Sequence, residues 1–503
     1  MRMRFGWKTP LLAAVLLLVA IGCAPSLQRA KPTNAVDHLR TELDYLFSDR
    51  AFANAHWGVA IQSLRNGEYL YLRNEGKEFM PASNMKLFTT AAALVKLSPE
   101  FRHRTALLTT GSVREGVLEG PLLIKGSGDP SITGRYHGGN MLAVFQAWAD
   151  SLRRQRIRRV SGDIIGDDNY FADEILGRGW SWDYQSDFYA AQISALSFND
   201  NCMDIIFTPG DSVGKPVQFR LEPATDYVQV NCLVTTAAKG RAEGVTFDRA
   251  PGTNRVTVRG SIAIDAGEIR EWFSVENPTL FAAHVFRQTL IDQGIAVEGR
   301  AIDIDSLPGF TPDPACFRVL ATYTSPPLSE LVTTINKVSQ NLYAELLLRT
   351  LGAECKGTGD AAHGAEVVKE VVTGFGVDPE VINMVDGSGL SRLDMVTPMA
   401  VVALLRGMRR HATGTFFYDS LPIAGVDGTI RSRMRGTAAE NNVRAKTGFI
   451  GHVRSLSGYV RTADQEELAF AIIANNYTAP TPLANSLQDL VCERLATFSR
   501  MGP

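Results

Sequence analysis

The apolar pattern of this chain changes twice along its length, and this limits the folds open to it. Up to about residue 103, and again from Ser325 onward, apolar residues recur at helical spacing between a few short strand-like runs. From about Arg104 to Cys316 the chain has short alternating runs with frequent turn residues, which is typical of strands. The pattern indicates a discontinuous α/β domain whose two parts flank a large, mostly β insertion.

The length of 503 residues is too great for one hydrophobic core and suggests two or three domains. We expect the following segments: a signal peptide over 1–23, a linker over 24–36, a catalytic domain from 37–103 and 317–500, an inserted β-rich domain from 104–165 and 236–316, and a second β insertion nested over 166–235. Within the β-rich third, one helix is predicted over 278–292.

Charge excludes one class of partner. The chain has 51 basic and 53 acidic residues and a net charge of -2, so it has no field that would attract nucleic acid or an anionic membrane surface. We therefore expect no nucleic-acid partner.

The N-terminus has the pattern of an export signal. A basic start, Met1 to Lys8, precedes an apolar run from Leu11 to Gly22 that is too short to span a bilayer comfortably. A small residue directly before Cys23 resembles a bacterial lipobox, which predicts a lipid anchor on Cys23 and an exported, periplasmic or otherwise extracytoplasmic lipoprotein. The alternative is a plain secretory signal with an incidental cysteine.

Export would place the remaining cysteines in an oxidising compartment, where bridges can form. There are five of them, so at least one stays free: Cys202, Cys232, Cys316, Cys355 and Cys492. Cys202 and Cys232 each follow an asparagine in a strand-like segment and are the first candidate pair. The alternative is that all five are small buried apolar residues.

Ser83 and Lys86 form an S-x-x-K motif at the start of an apolar-periodic run, so both are predicted in the first turns of a helix. An amine beside a hydroxyl can activate a serine without any histidine. The alternative is an N-cap serine followed by a surface lysine. A second copy, Ser212 to Lys215, is bounded by turn residues and is predicted to be a loop.

Two further tripeptides could complete a site for acyl transfer. Ser339-Gln340-Asn341 lies between two apolar-periodic runs and could relay a proton at a helix junction. Lys446-Thr447-Gly448 is predicted on a strand, where lysine and threonine could hold a carboxylate and glycine would allow close approach of a substrate. The alternatives are a second S-x-N copy, Ser197-Phe198-Asn199, and an ordinary solvated strand end at Lys446.

The order S-x-x-K, S-x-N, K-T-G resembles the penicillin-binding protein and serine β-lactamase superfamily. Within it, the chain is similar to the class C low-molecular-mass penicillin-binding proteins, the D-alanyl-D-alanine carboxypeptidase/endopeptidase family. The 256 positions between Ser83 and Ser339 (339 − 83) fit that family's insertion and are too many for a β-lactamase. Further matches extend the resemblance over about 36–476: Gly128-Asp129-Pro130, Ala195 to Asn199, Asp386 to Arg392, Gly425 to Thr429 and Ser457-Gly458-Tyr459.

The resemblance implies an antiparallel sheet flanked by helices, with Ser83 as the nucleophile and Lys86 as its base. It also implies that Ser339 relays a proton to the departing D-alanine and that Asn341 orients the substrate amide. Because the family has its own similar segment near position 197, Ser197 is removed from the active site.

For the rest of the site, the resemblance implies that Lys446, Thr447 and Gly448 bind the substrate and its terminal carboxylate. The oxyanion hole would use the backbone N–H groups of Ser83 and Phe449. Phe449 stands where the family often has threonine or serine, so one hydroxyl contact to the carboxylate is lost while the backbone donor remains.

Three other residues lie in or near these motifs. Gln340, in the variable middle of S-x-N, is expected to carry no chemistry. Ser388 lies in a good turn sequence, and the resemblance makes it a candidate for supporting the site. His452 is expected to be a packing or surface residue.

The sequence thus predicts a serine peptidase that acts on peptidoglycan stem peptides and is acylated by β-lactams. One alternative is a β-lactamase or esterase of the same superfamily, although no E-x-x-L-N stretch lies between Ser339 and Lys446. Another is a non-catalytic cell-wall-binding lipoprotein. The sequence has neither H-E-x-x-H nor a Cys/His cluster, so no metal and no cofactor are expected.

Overall fold

The structure is a computed structural model that describes residues 34–309 and 314–501. The predicted signal peptide, Cys23 and most of the linker lie outside these residues. The helices of the described part are α1 (Ala35–Phe47), α2 (Met85–Lys96), α3 (Ala143–Arg154), α4 (Pro278–Asp292), α5 (Leu328–Lys337), α6 (Asn341–Lys356), α7 (Ala361–Gly374), α8 (Pro398–Arg410), α9 (Gly414–Ser420) and α10 (Thr481–Ala496).

The strands of the described part are β1 (His56–Ser63), β2 (Tyr69–Arg73), β3 (Arg104–Thr109), β4 (Ser112–Arg114), β5 (Val117–Glu119), β6 (Leu122–Lys125), β7 (Arg159–Val160), β8 (Ile164–Asp167), β9 (Cys202–Thr208), β10 (Gln218–Glu222), β11 (Gln229–Cys232), β12 (Thr235–Ala237), β13 (Gly244–Arg249), β14 (Arg255–Ala263), β15 (Ile269–Ser274), β16 (Ala296–Val297), β17 (Ala301–Asp303), β18 (Arg318–Thr324), β19 (Ile382–Asn383), β20 (Met395–Val396), β21 (Arg444–Ile450), β22 (Val453–Arg461) and β23 (Glu467–Asn475).

A five-stranded sheet joins the two ends of the chain. Its order is β2-β1-β23-β22-β21, and every neighbouring pair is antiparallel. Alternation along β1 places Ala60 in a core with α2 and α5 to α8, whereas Val59 and Ile61 face a core with α1 and α10. The predicted fold class, an antiparallel sheet flanked by helices with a large β-rich insertion, is confirmed.

The insertion has its own hydrophobic core, in which α3 and α4 pack against strands between β3 and β18. Strand β18 pairs with β3 in a sheet of order β17-β8-β6-β3-β18. A separate three-stranded sheet has the order β10-β9-β15. We therefore propose that the insertion extends to about residue 325 and that its nested unit spans about 202–275.

The structure adds a helix that the sequence reading missed. Helix α3 buries Val144, Phe145, Trp148 and Leu152 on one face. This is helical spacing, but it lies inside a region that was interpreted as strand from its neighbours. In contrast, α4 has the predicted bounds, 278–292.

The suggested bridge between Cys202 and Cys232 is not formed. Cys202 lies on β9 and Cys232 on β11, in different sheets, and the five cysteines of the described residues all carry free thiols. Of these five, Cys202 and Cys492 are buried. Among residues 34–309 and 314–501, no helix combines the length and apolar character needed to cross a bilayer.

Candidate active site

Ser83 lies in a single 3-10 turn, Ala82–Asn84, which leads directly into α2. Lys86 follows in the first turn of α2, and its side chain is completely buried although Ser83 is partly exposed. The Nζ atom of Lys86 is 2.9 Å from Oγ of Ser83. The S-x-x-K spacing therefore brings an amine and a hydroxyl within hydrogen-bond distance beside the positive end of a helix.

Lys86 has two further polar contacts. Its Nζ donates to Oδ1 of Asn341 at 2.6 Å and to the backbone oxygen of Ser388 at 2.7 Å. Burial lowers the pKa of Lys86 to about 7. Nearby carboxylates oppose this shift, and Asp386 has the largest opposing effect. At neutral pH a substantial fraction of this amine is therefore uncharged.

Three buried carboxyl groups lie behind Lys86: Glu345, Asp386 and Asp394. Burial, with Asp386 nearby, raises the pKa of Glu345 to about 7, while Arg349 opposes this rise. Burial also raises the pKa of Asp394 well above its usual range. Burial thus favours the uncharged forms of Glu345 and Asp394 beside Lys86.

Asp386 organises the loop that carries Ser388. Its Oδ1 accepts the backbone N–H of Gly389 at 2.6 Å, and its Oδ2 accepts the backbone N–H of Ser391 at 2.7 Å. Oδ2 also accepts the indole N–H of Trp180 at 2.8 Å. The structure thus places Ser388 beside the site through its backbone oxygen, which contacts Lys86, whereas its hydroxyl lies 3.5 Å from Asp386.

Gly389 is required where this loop meets the Ser83 turn. It has φ +79°, and a Cβ there would lie 1.8 Å from the backbone oxygen of Ala82. No side chain fits in that space. The glycine in the D-G-S-G segment therefore allows the loop to approach the Ser83 turn closely.

The S-x-N tripeptide forms the junction between α5 and α6. Ser339 has φ 64°, a left-handed conformation that costs a non-glycine residue on the order of 1–3 kcal/mol. Its Oγ accepts a hydrogen bond from Nζ of Lys446 at 2.8 Å. Asn341 begins α6 and donates through Nδ2 to the backbone oxygen of Tyr189 at 2.7 Å.

The K-T-G tripeptide lies on β21, an edge strand of the main sheet. Lys446 is buried, and burial together with Lys86 lowers its pKa well below the usual range. The hydroxyl of Thr447 donates to Oγ1 of Thr429 at 2.8 Å. Both side chains are thus held in place at an edge that can still accept an extended backbone.

Gly448 brings β21 against the Ser83 turn. A Cβ at this position would lie 2.2 Å from Oγ of Ser455 and 3.0 Å from the backbone nitrogen of Ser83. The next residue, Phe449, is half exposed, and its ring centroid is 5.7 Å from the guanidinium of Arg454. The backbone groups of Ser83 and Phe449 therefore lie on two segments in close contact.

Asn84 ties these segments together, a role that the sequence reading missed. Its Nδ2 donates to the backbone oxygen of Lys446 at 2.8 Å, and its Oδ1 accepts from the hydroxyl of Ser457 at 2.6 Å. Asn84 lies within the S-x-x-K motif, and Ser457 lies in the Ser457-Gly458-Tyr459 match. Only the folded sheet shows that these motifs bind each other.

The duplicate motifs lie elsewhere. Ser197 is buried in the insertion and donates to the backbone oxygen of Ser194 at 2.9 Å. Ser212 and Lys215 are exposed, and Oγ of Ser212 donates to Asp211 at 2.8 Å. His452 is exposed, with Nδ1 2.9 Å from the backbone oxygen of Tyr477.

One carboxylate group in the insertion has metal-ligand spacing. Oxygens of Asp168, Asp303 and Asp305 lie within 4.8 Å of one another. Asp168 already accepts from Oγ1 of Thr279 at 2.5 Å, and Asp303 accepts from Nδ2 of Asn277 at 2.7 Å. These acids make local contacts within the insertion, and none of them contacts Ser83 or Lys86 in the described structure.

Comparison with known sequences identifies relatives along most of the chain. The model of the family described as D-Ala-D-Ala carboxypeptidase 3 (S13) matches residues 39–493. A D-alanyl-D-alanine carboxypeptidase from an Actinomadura species is 36% identical over 497 residues, which covers 96% of this chain and 89% of the relative. The D-alanyl-D-alanine carboxypeptidase DacB of Haemophilus influenzae is 29% identical over 425 residues, which covers 84% of this chain and 85% of the relative.

A solved structure has the same overall fold. The crystal structure of penicillin binding protein 4 (dacB) from Haemophilus influenzae superposes with a TM-score of 0.77 at 25% identity, covering 91% of this chain and 99% of that chain. A second crystal structure of that protein, in complex with a β-lactam, has a TM-score of 0.73 at 24% identity, covering 91% of this chain and 100% of that chain.

Proposed function

Because the chain belongs to the D-Ala-D-Ala carboxypeptidase 3 (S13) family, we propose that it hydrolyses the terminal D-alanyl-D-alanine bond of peptidoglycan stem peptides through an acyl-enzyme on Ser83. The family and the enzyme class predicted from the three motifs are confirmed by these relatives. The substrate and the roles of single residues are proposals, for which the hydrogen bonds of Lys86 are the main support.

The geometry around Lys86 suits a base. An uncharged amine has two N–H donors and one lone pair, and Lys86 has two acceptors, Asn341 Oδ1 and Ser388 O, besides the Ser83 hydroxyl. With both donors used, the lone pair points to the remaining partner, Oγ of Ser83. Lys86 then takes the Ser83 proton as Oγ attacks the carbonyl carbon.

The leaving group needs a proton and its carboxylate needs a cation. Ser339 and Lys446 are hydrogen bonded at 2.8 Å, so the hydroxyl of Ser339 can pass a proton to the departing amine and be resupplied from the lysines. Thr447 and Lys446 bind the terminal carboxylate, whose charge favours protonation of Lys446. Backbone N–H groups of Ser83 and Phe449 stabilise the oxyanion, and water then hydrolyses the ester.

We also propose that β-lactams acylate Ser83, since a β-lactam presents a carbonyl and a carboxylate to the same groups.

The enzyme would act outside the cytoplasm, with Cys23 as the lipid-bearing residue. Radioactive palmitate should label the wild type expressed in a bacterium, and the Cys23→Ala variant should lose this label. Equal labelling of both proteins would exclude the anchor.

The test of the catalytic proposal uses two duplicated motifs as controls. A fluorescent penicillin should label the wild type and Ser212→Ala covalently, whereas Ser83→Ala should remain unlabelled. D-Alanine release from a pentapeptide ending in D-Ala-D-Ala should follow the same order. Ser197→Ala is the corresponding control for Ser339→Ala. Labelling that persists in Ser83→Ala would remove Ser83 from the proposed role, and rapid cephalosporin turnover without D-alanine release would favour a β-lactamase.

A further inference from the structure

A large pocket borders the S-x-N tripeptide on the side of the insertion. Its volume is about 710 Å³, and Val338 to Asn341 form one wall. We call it the insert pocket; its other walls include Arg135, Phe188, Asp200, Asp204, Arg270 and Trp272. Ser83 and Lys446 do not line it. The pocket therefore begins at the proton-relay residue and runs away from the nucleophile.

The insert pocket exposes apolar surface that the fold leaves uncovered. Trp272 is 42% exposed and Phe188 49% exposed, and their ring centroids are 6.2 Å apart. Val338, directly before Ser339, is also exposed. Aromatic side chains gathered in a concave site are characteristic of ligand pockets, whereas single exposed apolar residues are common everywhere.

The polar part of the pocket carries both signs of charge. Arg270 donates through Nη1 to Asp204 at 2.6 Å, and Arg135 donates through Nη2 to Asp200 at 3.1 Å. Both arginine side chains are about two-fifths exposed, so each retains N–H donors for a ligand. Such a surface suits a peptide with both carboxylate and amino groups.

We propose that the insert pocket holds the second stem peptide of a cross-linked substrate, the peptide whose amine departs when Ser83 attacks. This rests on the proposed function. Loss of a single D-alanine needs no more room than the contacts of Lys446, Thr447 and Ser339 provide. Cleavage of a cross-link releases a whole peptide, which must run past Ser339, where the insert pocket opens.

The chemistry is the same in both reactions. The bond between Ser83 Oγ and the acyl carbon forms, the bond between that carbon and the leaving nitrogen breaks, and the nitrogen departs with the proton relayed through Ser339. Water then returns the serine as the free hydroxyl. Only the group attached to the leaving nitrogen differs, so contacts in the insert pocket should favour one reaction without altering the other.

The size of the pocket agrees with this occupant. Pockets for small ligands usually have volumes of roughly 300–1,000 Å³. The insert pocket lies within this range and can take a peptide of several residues.

The experiment compares Trp272→Ala with Phe219→Ala. Both residues lie on the three-stranded sheet and are similarly exposed, at 42% and 41%, but Phe219 does not line the pocket. Each variant is assayed on a monomeric pentapeptide, on a cross-linked peptide dimer without sugars, and on the same dimer carrying its disaccharides. Fluorescent penicillin labelling and thermal unfolding report on the integrity of the fold.

We expect Trp272→Ala to lower kcat/KM for both dimers by about tenfold, mainly through KM, because a large contact surface for the leaving peptide is lost. Pentapeptide turnover should stay within about twofold of the wild type, and Phe219→Ala should match the wild type on all substrates. Trp272→Phe should recover most of the loss. If Trp272→Ala fails to fold, Trp272→Gln takes its place.

Other outcomes overturn the inference. Equal losses on monomer and dimer, or no loss on either, would exclude a site for the second peptide. A loss confined to the sugar-bearing dimer would assign the pocket to glycan instead. A wild type that releases D-alanine from the pentapeptide but leaves both dimers intact would exclude the inference alone, whereas failure on all three substrates would refute the proposed function itself.

Discussion

Glu345 accepts the backbone N–H of Ser388 through Oε1 at 2.8 Å. This bond fixes the peptide unit whose neighbouring backbone oxygen accepts from Lys86 at 2.7 Å. A buried acid thus positions the proposed base through the backbone of Ser388. Because Lys86 is also surrounded by carboxyl groups that oppose the effect of burial, its protonation state depends on the surrounding residues as well as on its own depth.

The first prediction concerns pH. Lys86 acts as a base only when uncharged, and burial lowers its pKa to about 7. Acylation of Ser83 by a β-lactam should therefore fall about tenfold for each pH unit below 7 and reach a plateau above about pH 8. Stopped-flow measurement of the second-order acylation rate between pH 5.5 and 9 checks this. A rate that is flat across this range would argue against an uncharged Lys86 as the base.

The second prediction compares how much the buried acids Asp386 and Asp394 each contribute to stability. Both carboxylate oxygens of Asp386 accept hydrogen bonds from N–H groups. In an asparagine, an NH₂ group would replace one of these oxygens and would face an N–H donor. Asp386→Asn should lower the free energy of unfolding by about 3 kcal/mol. Because burial raises the pKa of Asp394 well above its usual range, its neutral form resembles asparagine, and Asp394→Asn should cost less than about 1 kcal/mol. Urea denaturation at pH 7 measures both. Equal costs would contradict this distinction.

Most of the catalytic domain could be predicted because its signals are local. Ser83 with Lys86 shows the spacing of one helical turn, and Lys446 to Gly448 was predicted on a strand and lies on β21. The resemblance implied an antiparallel sheet, but the sheet order and the pairing of β1 with β23 were not predicted, since strand pairing between distant segments leaves no local pattern.

The contacts that the sequence did not reveal are all between distant segments. Asp200, on the insertion, accepts from Nε2 of Gln340 at 3.1 Å and from the hydroxyl of Tyr343 at 2.9 Å. Tyr189, also on the insertion, accepts from Asn341. Nothing in the local pattern of either residue distinguishes it from an ordinary loop residue, so only the packed structure assigns these contacts.

The third prediction concerns Thr447. Its hydroxyl donates to Thr429 and is proposed to contact the substrate carboxylate. Thr447→Val keeps the side-chain volume but removes the hydroxyl, so kcat/KM for D-alanine release should fall about 10–100-fold. Thr447→Ser retains the hydroxyl and should stay within about fivefold. Kinetics on the pentapeptide check both variants. Similar losses in the two would point to packing rather than to the hydroxyl.

The fourth prediction concerns Gln340, which was expected to carry no chemistry. Ser339 holds a left-handed conformation, and the next residue, Gln340, donates a hydrogen bond to Asp200. Losing that bond should let Ser339 leave its position beside Lys446, so Gln340→Ala should lower kcat for D-alanine release about 3–10-fold with little change in KM. Gln340→Glu should lower kcat further, because it adds a negative charge beside Asp200.

Gln155→Ala is the matched control for this prediction. Gln155 is likewise partly buried and donates through Nε2 to the backbone oxygen of Leu320 at 3.0 Å, but it lies within the insertion. Both alanine variants should lose similar thermal stability, since each loses a side-chain amide hydrogen bond. Only Gln340→Ala should lose kcat. If the two variants lose activity in proportion to their stability, the bond to Asp200 supports the fold and does not position Ser339.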